Sequence, residues 1–436
     1  MAWTERFVTA TAPGGGDGSQ GNPWTLAEGL TNLAAGMRLN LLVGTYARST
    51  SISVNTGGPW VIQGYTATPG DGGRATIAFT GNIGGFGTTT NAGLGNIRDL
   101  IITSDTTNGN NLVGLGISGT GTLIERVTCA HWAGSGFQLD AGGVKAVYCE
   151  AYDCGRGNVL GYAGFRTNLY VHGGLFYCIA HDCTATNAVG FYLPDQNETD
   201  DLVGCIADTC TYAGFYLNHN SEMRVVMNCD AYNCGHGFIV NRPTYAPAVL
   251  FIGCNAINNA GYGFYPQQAT STIILERCFD YGNVSGRAYN PGYLLDESAS
   301  SHYTAVPYVD GPNGNFALDR VNGAIGRGAM PGLIQTGYSA QTTNARDVGA
   351  AQHADPVVGL PAAGSLYAGK TVTIDGTAVV TGTLRASNIS NPDAANGGED
   401  LSAPILGAGH TVDGITGTLS GGGGGGMGGI FESIVR

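Results

Sequence analysis

Between Val127 and Gly282 the chain writes one short phrase again and again. Five copies read Cys149-Glu-Ala-Tyr-Asp-Cys154, Cys178-Ile-Ala-His-Asp-Cys183, Cys205-Ile-Ala-Asp-Thr-Cys210, Cys229-Asp-Ala-Tyr-Asn-Cys234 and Cys254-Asn-Ala-Ile-Asn-Asn259. A Gly-Phe pair follows each, at Gly164-Phe165, Gly190-Phe191, Gly214-Phe215, Gly237-Phe238 and Gly263-Phe264. Looser copies open at Cys129, with Gly136-Phe137, and at Cys278. Leading cysteines recurring about every two dozen residues mark a stacked repeat architecture.

The pattern within a copy says what is stacked. Side chains alternate along a strand, so the Cys, the Ala two residues on and the apolar residue two before are expected on one inward face. Those preceding residues are Val127, Val147, Phe176, Val203, Met227 and Ile252. A turn rich in Asp, Asn, Gly and Tyr follows, and Gly-Phe opens another short strand. No copy holds a helical period, which argues against leucine-rich, ankyrin and other helix-containing repeats. The expected fold is all-β: a single-stranded parallel β-helix whose coils stack about 4.8 Å apart. At roughly 25 residues a coil, residues 35–300 would give about ten or eleven coils.

The cysteines then read as two inward columns, filling a narrow interior with small, soft thiols. Asn259 stands in the second Cys place of the last regular copy, as if an amide could close that column. With 11 cysteines, complete intrachain pairing is impossible. Buried free thiols are the favoured reading. Disulfides between coils and a metal site are the alternatives, each weakened by spacing. No metal or cofactor is expected.

Composition narrows the function classes. Glycine at 73 residues and charged residues at 12% suit a turn-rich all-β chain. A formal charge of −13, with Lys145 and Lys370 the only lysines, speaks against nucleic acid and anionic membranes as partners. No apolar run of about 18 residues exists to span a membrane. The start, Met1-Ala-Trp-Thr-Glu-Arg-Phe-Val, lacks the basic and apolar blocks of a secretory signal, and none is expected.

The stretch from Ala10 to Leu30, with its Pro13-Gly-Gly-Gly-Asp-Gly loop, resembles the entry of pectate-lyase-like right-handed parallel β-helix proteins. The resemblance implies a glycine-rich loop leading into a short helix over the first coil. Thr25 would cap that helix with Glu28 as its box partner, and Leu26, Leu30 and Leu33 would face the stack. Leu39-Asn-Leu-Leu-Val-Gly-Thr-Tyr46 resembles the family's first strand. The likeness covers roughly residues 8–300. The expected domains are a cap (1–34), the β-helix (35–300), a connecting region (301–356), a small β-repeat region for oligomerisation or attachment (357–420), and a glycine tether with a docking peptide (421–436).

Many β-helices of this kind cleave polysaccharides, so carboxylates and histidines require weighing. Asp200-Asp201 and Gly235-His236-Gly237 match fragments of polygalacturonase-like motifs, but the companion motifs are missing. His236 falls on a Gly-x-Gly-Phe turn that other coils write with Ser or Tyr, and reads as a turn residue. Asp195, Glu198, Asp200 and Asp201, with Arg166 and Arg224 on nearby coils, read first as a solvated loop. No catalytic residue is assigned. The residue after each Gly-Phe pair points outward: Gln138, Arg166, Tyr192, Tyr216, Ile239 and Tyr265. Such a column suits a glycan platform or a subunit contact. Cover by flanking loops is the third reading.

Beyond Tyr289 the repeat ends. A second phrase opens at Leu366-Tyr-Ala-Gly-Lys-Thr-Val and is echoed at Leu406-Gly-Ala-Gly-His-Thr-Val. It resembles repeats in structural proteins of tailed bacteriophage particles, and strands so short usually interlock between chains. After the run Gly421–Gly426, the residues Ile430, Phe431, Ile434 and Val435 form an apolar peptide suited to a partner's groove. The expectation is a homotrimeric virion spike, fibre or decoration protein of the bacteriophage spike type. It would assemble in a host cytoplasm, attach to other virion proteins through its C-terminal region and face host surface polysaccharide. The alternatives are a polysaccharide lyase or glycosidase acting on that glycan and, third, a plain bacterial binding module.

Overall fold

The computed structural model describes residues 3–286 apart from 106–111, 168–172, 195–200, 219–223, 242–248, 269–270 and 272; beyond 286 it describes short strands. The chain divides into two compact units, Met1–Asp355 and Pro356–Arg436.

In the first unit the chain winds through three parallel sheets in fixed order. Sheet 1 has twelve strands, from Thr4–Val8 to Leu294–Leu295. Sheet 2 has eleven, from Thr45–Arg48 to Ser301–His302, and sheet 3 has nine, from Ile52–Val54 to Phe264–Pro266. One coil is Lys145–Val147 in sheet 1, Glu150–Tyr152 in sheet 2 and Ala163–Thr167 in sheet 3. Among the described residues nine consecutive coils place a strand in all three sheets, about eight turns from first to last, against the ten or eleven coils expected.

From Asp99 onward sharp corners flank sheet 2, and a single left-handed residue makes each of those that follow. The first corner runs Asp99, Arg126, Tyr148, Tyr177, Gly204, Asn228, Gly253 and Arg277, with φ from 50° to 66°. The second runs His131, Asp153, Asp182, Thr209, Asn233, Asn258 and Gly282, with φ from 48° to 67°. A cysteine follows most of them. Its thiol donates to the carbonyl two residues back and to one on the preceding coil: Cys205 Sγ reaches Val203 O at 3.7 Å and Leu175 O at 3.3 Å. Thus the cysteine is both a small core filler and a weak donor to carbonyls turned inward by the corner. All eleven are free and buried. Burial pushes the Cys129 and Cys154 thiols up, keeping them protonated.

These corners overturn part of the strand reading. The left-handed residue between sheets 1 and 2 breaks the alternation, so Val147, Phe176, Val203, Met227 and Ile252 face outward and are only half-buried. They continue an outward column whose earlier members are Asn40, Gln63, Arg98 and Glu125. There Gln63 Nε2 donates to Asn40 Oδ1 at 2.6 Å, and Asn40 Nδ2 to Glu5 Oε2 at 2.8 Å. The first copy is also shifted. Cys129 pairs with Ala151, not Cys149, and Val127 fills the leading place.

Opposite the Ala column, sheet 3 must come close. A Cβ on Gly190 or Gly214 would lie 3.0 Å from that of Ala207, and 2.7 or 3.0 Å from a carbonyl of the next coil. Only glycine fits there. Ala163 and Val189 pack with Tyr216 on the outer side while Phe165 and Phe191 join the core, so the strand alternation breaks at the intervening glycine. Phe137, Phe165, Phe191, Phe215, Phe238 and Phe264 form one buried stack, centroids 4.5–5.1 Å apart. The coil spacing dictates that distance.

Helix α1, Leu26–Thr31, carries the capping box of Thr25 and Glu28. Gly29 lies close against Val8 and Leu39 of sheet 1, and Leu26 and Leu33 join the core. The Tyr65–Arg74 loop is organised by Asp71, whose carboxylate accepts N–H groups of Thr66, Ala67, Thr68 and Gly73. Those bonds hold it well below the usual carboxylate range.

In the second unit Lys370–Ile374 pairs antiparallel with Thr377–Gly382, and Thr411–Val412 with Ile415–Thr416. Each pair falls inside one copy of the second repeated phrase. The rest of 357–420, all of 421–436 and most of 301–356 lie outside the described residues.

Candidate functional site

Two outer surfaces gather chemistry. On sheet 3, Gln138, Arg166, Tyr192, Tyr216, Ile239 and Tyr265 stand in register on consecutive coils. Tyr192 stacks on Tyr216 at 5.4 Å, and the Arg166 guanidinium lies 6.0 Å over the Tyr192 ring. Asn241 Nδ2 donates to Tyr216 Oη at 2.9 Å, and that hydroxyl donates to Gln267 Oε1 at 3.2 Å. Burial pushes the Tyr216 hydroxyl up to about 12. Tyr216 is 3% exposed and Ile239 0%, so both are closed off, whereas Arg166, Tyr192 and Tyr265 remain half-buried.

His236 belongs to this surface as the first residue of strand His236–Asn241. Its ring stacks on Tyr265 at 4.8 Å, and its Nδ1 accepts the Tyr262 N–H at 3.0 Å. The acceptor role fixes Nδ1 as the unprotonated nitrogen, and burial lowers the imidazole's pKa.

The second surface is a charged ledge on the outside of sheet 2. His131, Tyr152 and His181 lie on three consecutive coils, His131 edge-on to Tyr152 at 5.1 Å and Tyr152 stacked on His181 at 5.3 Å. His181 Nε2 contacts Glu150 Oε1 at 3.2 Å, and its Nδ1 contacts Asp182 Oδ2 at 2.8 Å. The other Glu150 oxygen accepts from Thr128 Oγ1 at 2.8 Å, and Arg74 donates to that same hydroxyl. His131 Nδ1 lies 2.8 Å from Asp153 Oδ2, with Arg156 alongside. Burial alone would lower His181; the bonds to Glu150 and Asp182 overcome it and push the imidazole up to about 9. The bond to His181 in turn lowers Glu150. Asp208, the strand partner of His181 on the next coil, is raised by burial.

The sequence did not single out this ledge. Its members are the first and last letters of the strand phrase, and aligning the copies stacks Tyr152, His181 and Asp208. Asp195, Glu198 and Asp200 lie outside the described residues, as do the side chains of Asp201 and Arg224 and the whole of Ile430, Phe431, Ile434 and Val435. Among the described residues no group of three or more His, Cys, Asp and Glu is placed to hold a metal ion. Nor is any helix among them long and apolar enough to cross a membrane.

The family described as a right-handed beta helix region matches residues 113–280. The described coils of the first unit form a right-handed parallel β-helix. The solved pectate lyase Pel9A superposes on 81% of this β-helix chain and 97% of its own, at TM-score 0.55 and 13% identity, a likeness of fold. A Geobacillus virus protein aligns over 69% of this chain and 62% of its own, at 12% identity and TM-score 0.43. The Dettilon tailspike protein aligns over 68% of each chain, at 13% identity and TM-score 0.37. No curated protein sequence matches the β-helix.

Proposed function

We propose that this β-helix is a glycan-engaging structural protein of a bacteriophage particle. It works as a homotrimer that assembles in the host cytoplasm, holds other virion proteins through residues 357–436 and presents its coils to host surface polysaccharide. The observation that carries the glycan role is the column of Arg166, Tyr192 and Tyr265 along sheet 3. Half-buried tyrosines offer flat apolar faces with polar rims, which matches a sugar ring's C–H face and hydroxyl edge. The echoed C-terminal phrase supports attachment. Tyr192→Ala with Tyr265→Ala is expected to weaken polysaccharide binding at least tenfold while the far-ultraviolet spectrum stays unchanged. Undiminished binding, or absence of the protein from purified particles, would overturn the reading.

Polysaccharide cleavage is the second reading, favoured by the ledge. Glu150 and Asp208 lie on either side of His181, with their carboxyls shifted in opposite directions, the relation expected of an acid and a base. Against it, His181 holds its proton at neutral pH and Glu150 is committed to Thr128 and His181. Incubation with host polysaccharide decides: new reducing ends or unsaturated products, lost in Asp208→Asn, would favour the enzyme.

A further inference from the structure

The second corner column leads from the charged ledge into an open groove of about 340 Å³. Thr209, Asn233 and Asn258, the corner residues of three successive coils, line it together with Thr211, Gly235 and Ala260. Thr211, Asn233 and Ala260 are exposed. Val284 completes one side, and the wall is close at Gly235, where a Cβ would lie 2.1 Å from Thr211 O and 2.5 Å from Tyr212 O. On earlier coils the same column reads His131, Asp153 and Asp182. Polar side chains therefore recur at one position every coil, about 4.8 Å apart along the axis.

We propose that this track binds an uncharged polysaccharide, of hexose or N-acetylhexosamine units, running along the helix axis, and that it rejects polyuronates. The inference deepens the glycan role proposed above and rests on it. Hydroxyl and amide side chains, which both donate and accept, suit sugar hydroxyls and acetamido groups. Rejection of acidic glycans follows from charge. Glu150, Asp153, Asp182 and Asp208 border the track, and the Asp182 side chain is 60% exposed. The cations beside them are already engaged: His181 with Glu150 and Asp182, Arg156 with Asp153 and His131 O, Arg74 with Thr128 and Leu100 O. A polyanion would meet carboxylates whose counter-charges are spent, on a chain of net charge −13.

The test uses the full chain and four probes: dextran, mannan, chitin oligosaccharide and polygalacturonate, each at low and at physiological salt. The wild type is expected to hold at least one uncharged probe, with polygalacturonate at least tenfold weaker at low salt. Thr211→Trp, which fills the groove from an exposed position, is expected to lower that affinity at least tenfold, and Asn233→Ala severalfold. Polygalacturonate bound as tightly as the uncharged probes would overturn the inference. Glycan binding that ignores Thr211→Trp yet falls with Tyr192→Ala would also overturn it, leaving the broader glycan role standing. Retention of none of the four probes would remove both.

Discussion

Asn259 Oδ1 accepts the backbone N–H of Cys234, one coil before it, at 3.0 Å. Its Nδ2 donates to Ala231 O at 3.3 Å, occupying the acceptor position that Cys234 Sγ reaches on Ala207 at 3.7 Å. Asn283 repeats the arrangement one coil on, donating to Ala256 O at 2.9 Å. Amide and thiol are thus interchangeable in this column because both reach the same inward carbonyl. Asn259→Ala strands the Cys234 N–H in the core and is expected to cost about 1–3 kcal/mol in denaturant unfolding. Asn259→Cys, which restores a donor to Ala231, is expected to cost less; the reverse order would deny the shared role.

The Phe stack makes the interior sensitive to truncation. Phe191 lies between Phe165 at 5.1 Å and Phe215 at 4.7 Å and is 0% exposed. Phe191→Ala is expected to destabilise by about 3–5 kcal/mol, since rigid neighbouring coils cannot collapse into the gap. A midpoint shift in urea corresponding to less than about 1 kcal/mol would contradict that rigidity.

Overpacking should hurt the opposite wall. Ala207 Cβ faces the glycine positions of two adjacent coils, Gly190 and Gly214. Ala207→Leu is expected to cost at least about 1–3 kcal/mol, whereas Ala207→Gly costs less. Equal tolerance of both, read by thermal unfolding, would mean the sheets are not pinched there.

Thiol chemistry gives a direct readout of the fold. All eleven cysteines are free and buried, so the native protein is expected to react with almost no aromatic-disulfide reagent and the denatured protein with eleven equivalents. Several rapidly reacting thiols before unfolding would place cysteines on the surface.

His181 supplies a pH dependence. Its folded pKa, about 9, stands above the ordinary histidine value of 6.5. The protonated ring is the form that Glu150 and Asp182 stabilise, so its contribution is complete below about pH 6.5 and fades as pH rises through 9. Stability measured from pH 6 to 10 should therefore fall in the wild type more than in His181→Gln. Identical slopes would show that the ledge does not hold the proton.

The repeated phrase by itself determined the β-helix, its coil length, the inward Ala and second Cys columns, and the outward run from Gln138 to Tyr265. These follow from period and from strand alternation, both written in residue order. Tertiary structure decided the phase. Nothing in the residue types announces that Tyr148 and Tyr177 take left-handed φ, yet those corners turn Val147 and Phe176 outward and place Cys129 over Ala151. It also decided the site. His181 and Glu150 are 31 residues apart in sequence and meet only because one turn of the solenoid brings neighbouring coils into contact. Which outward side chains are covered, as Tyr216 is and Tyr192 is not, depends on the packing of whole coils, and no single copy of the phrase contains it.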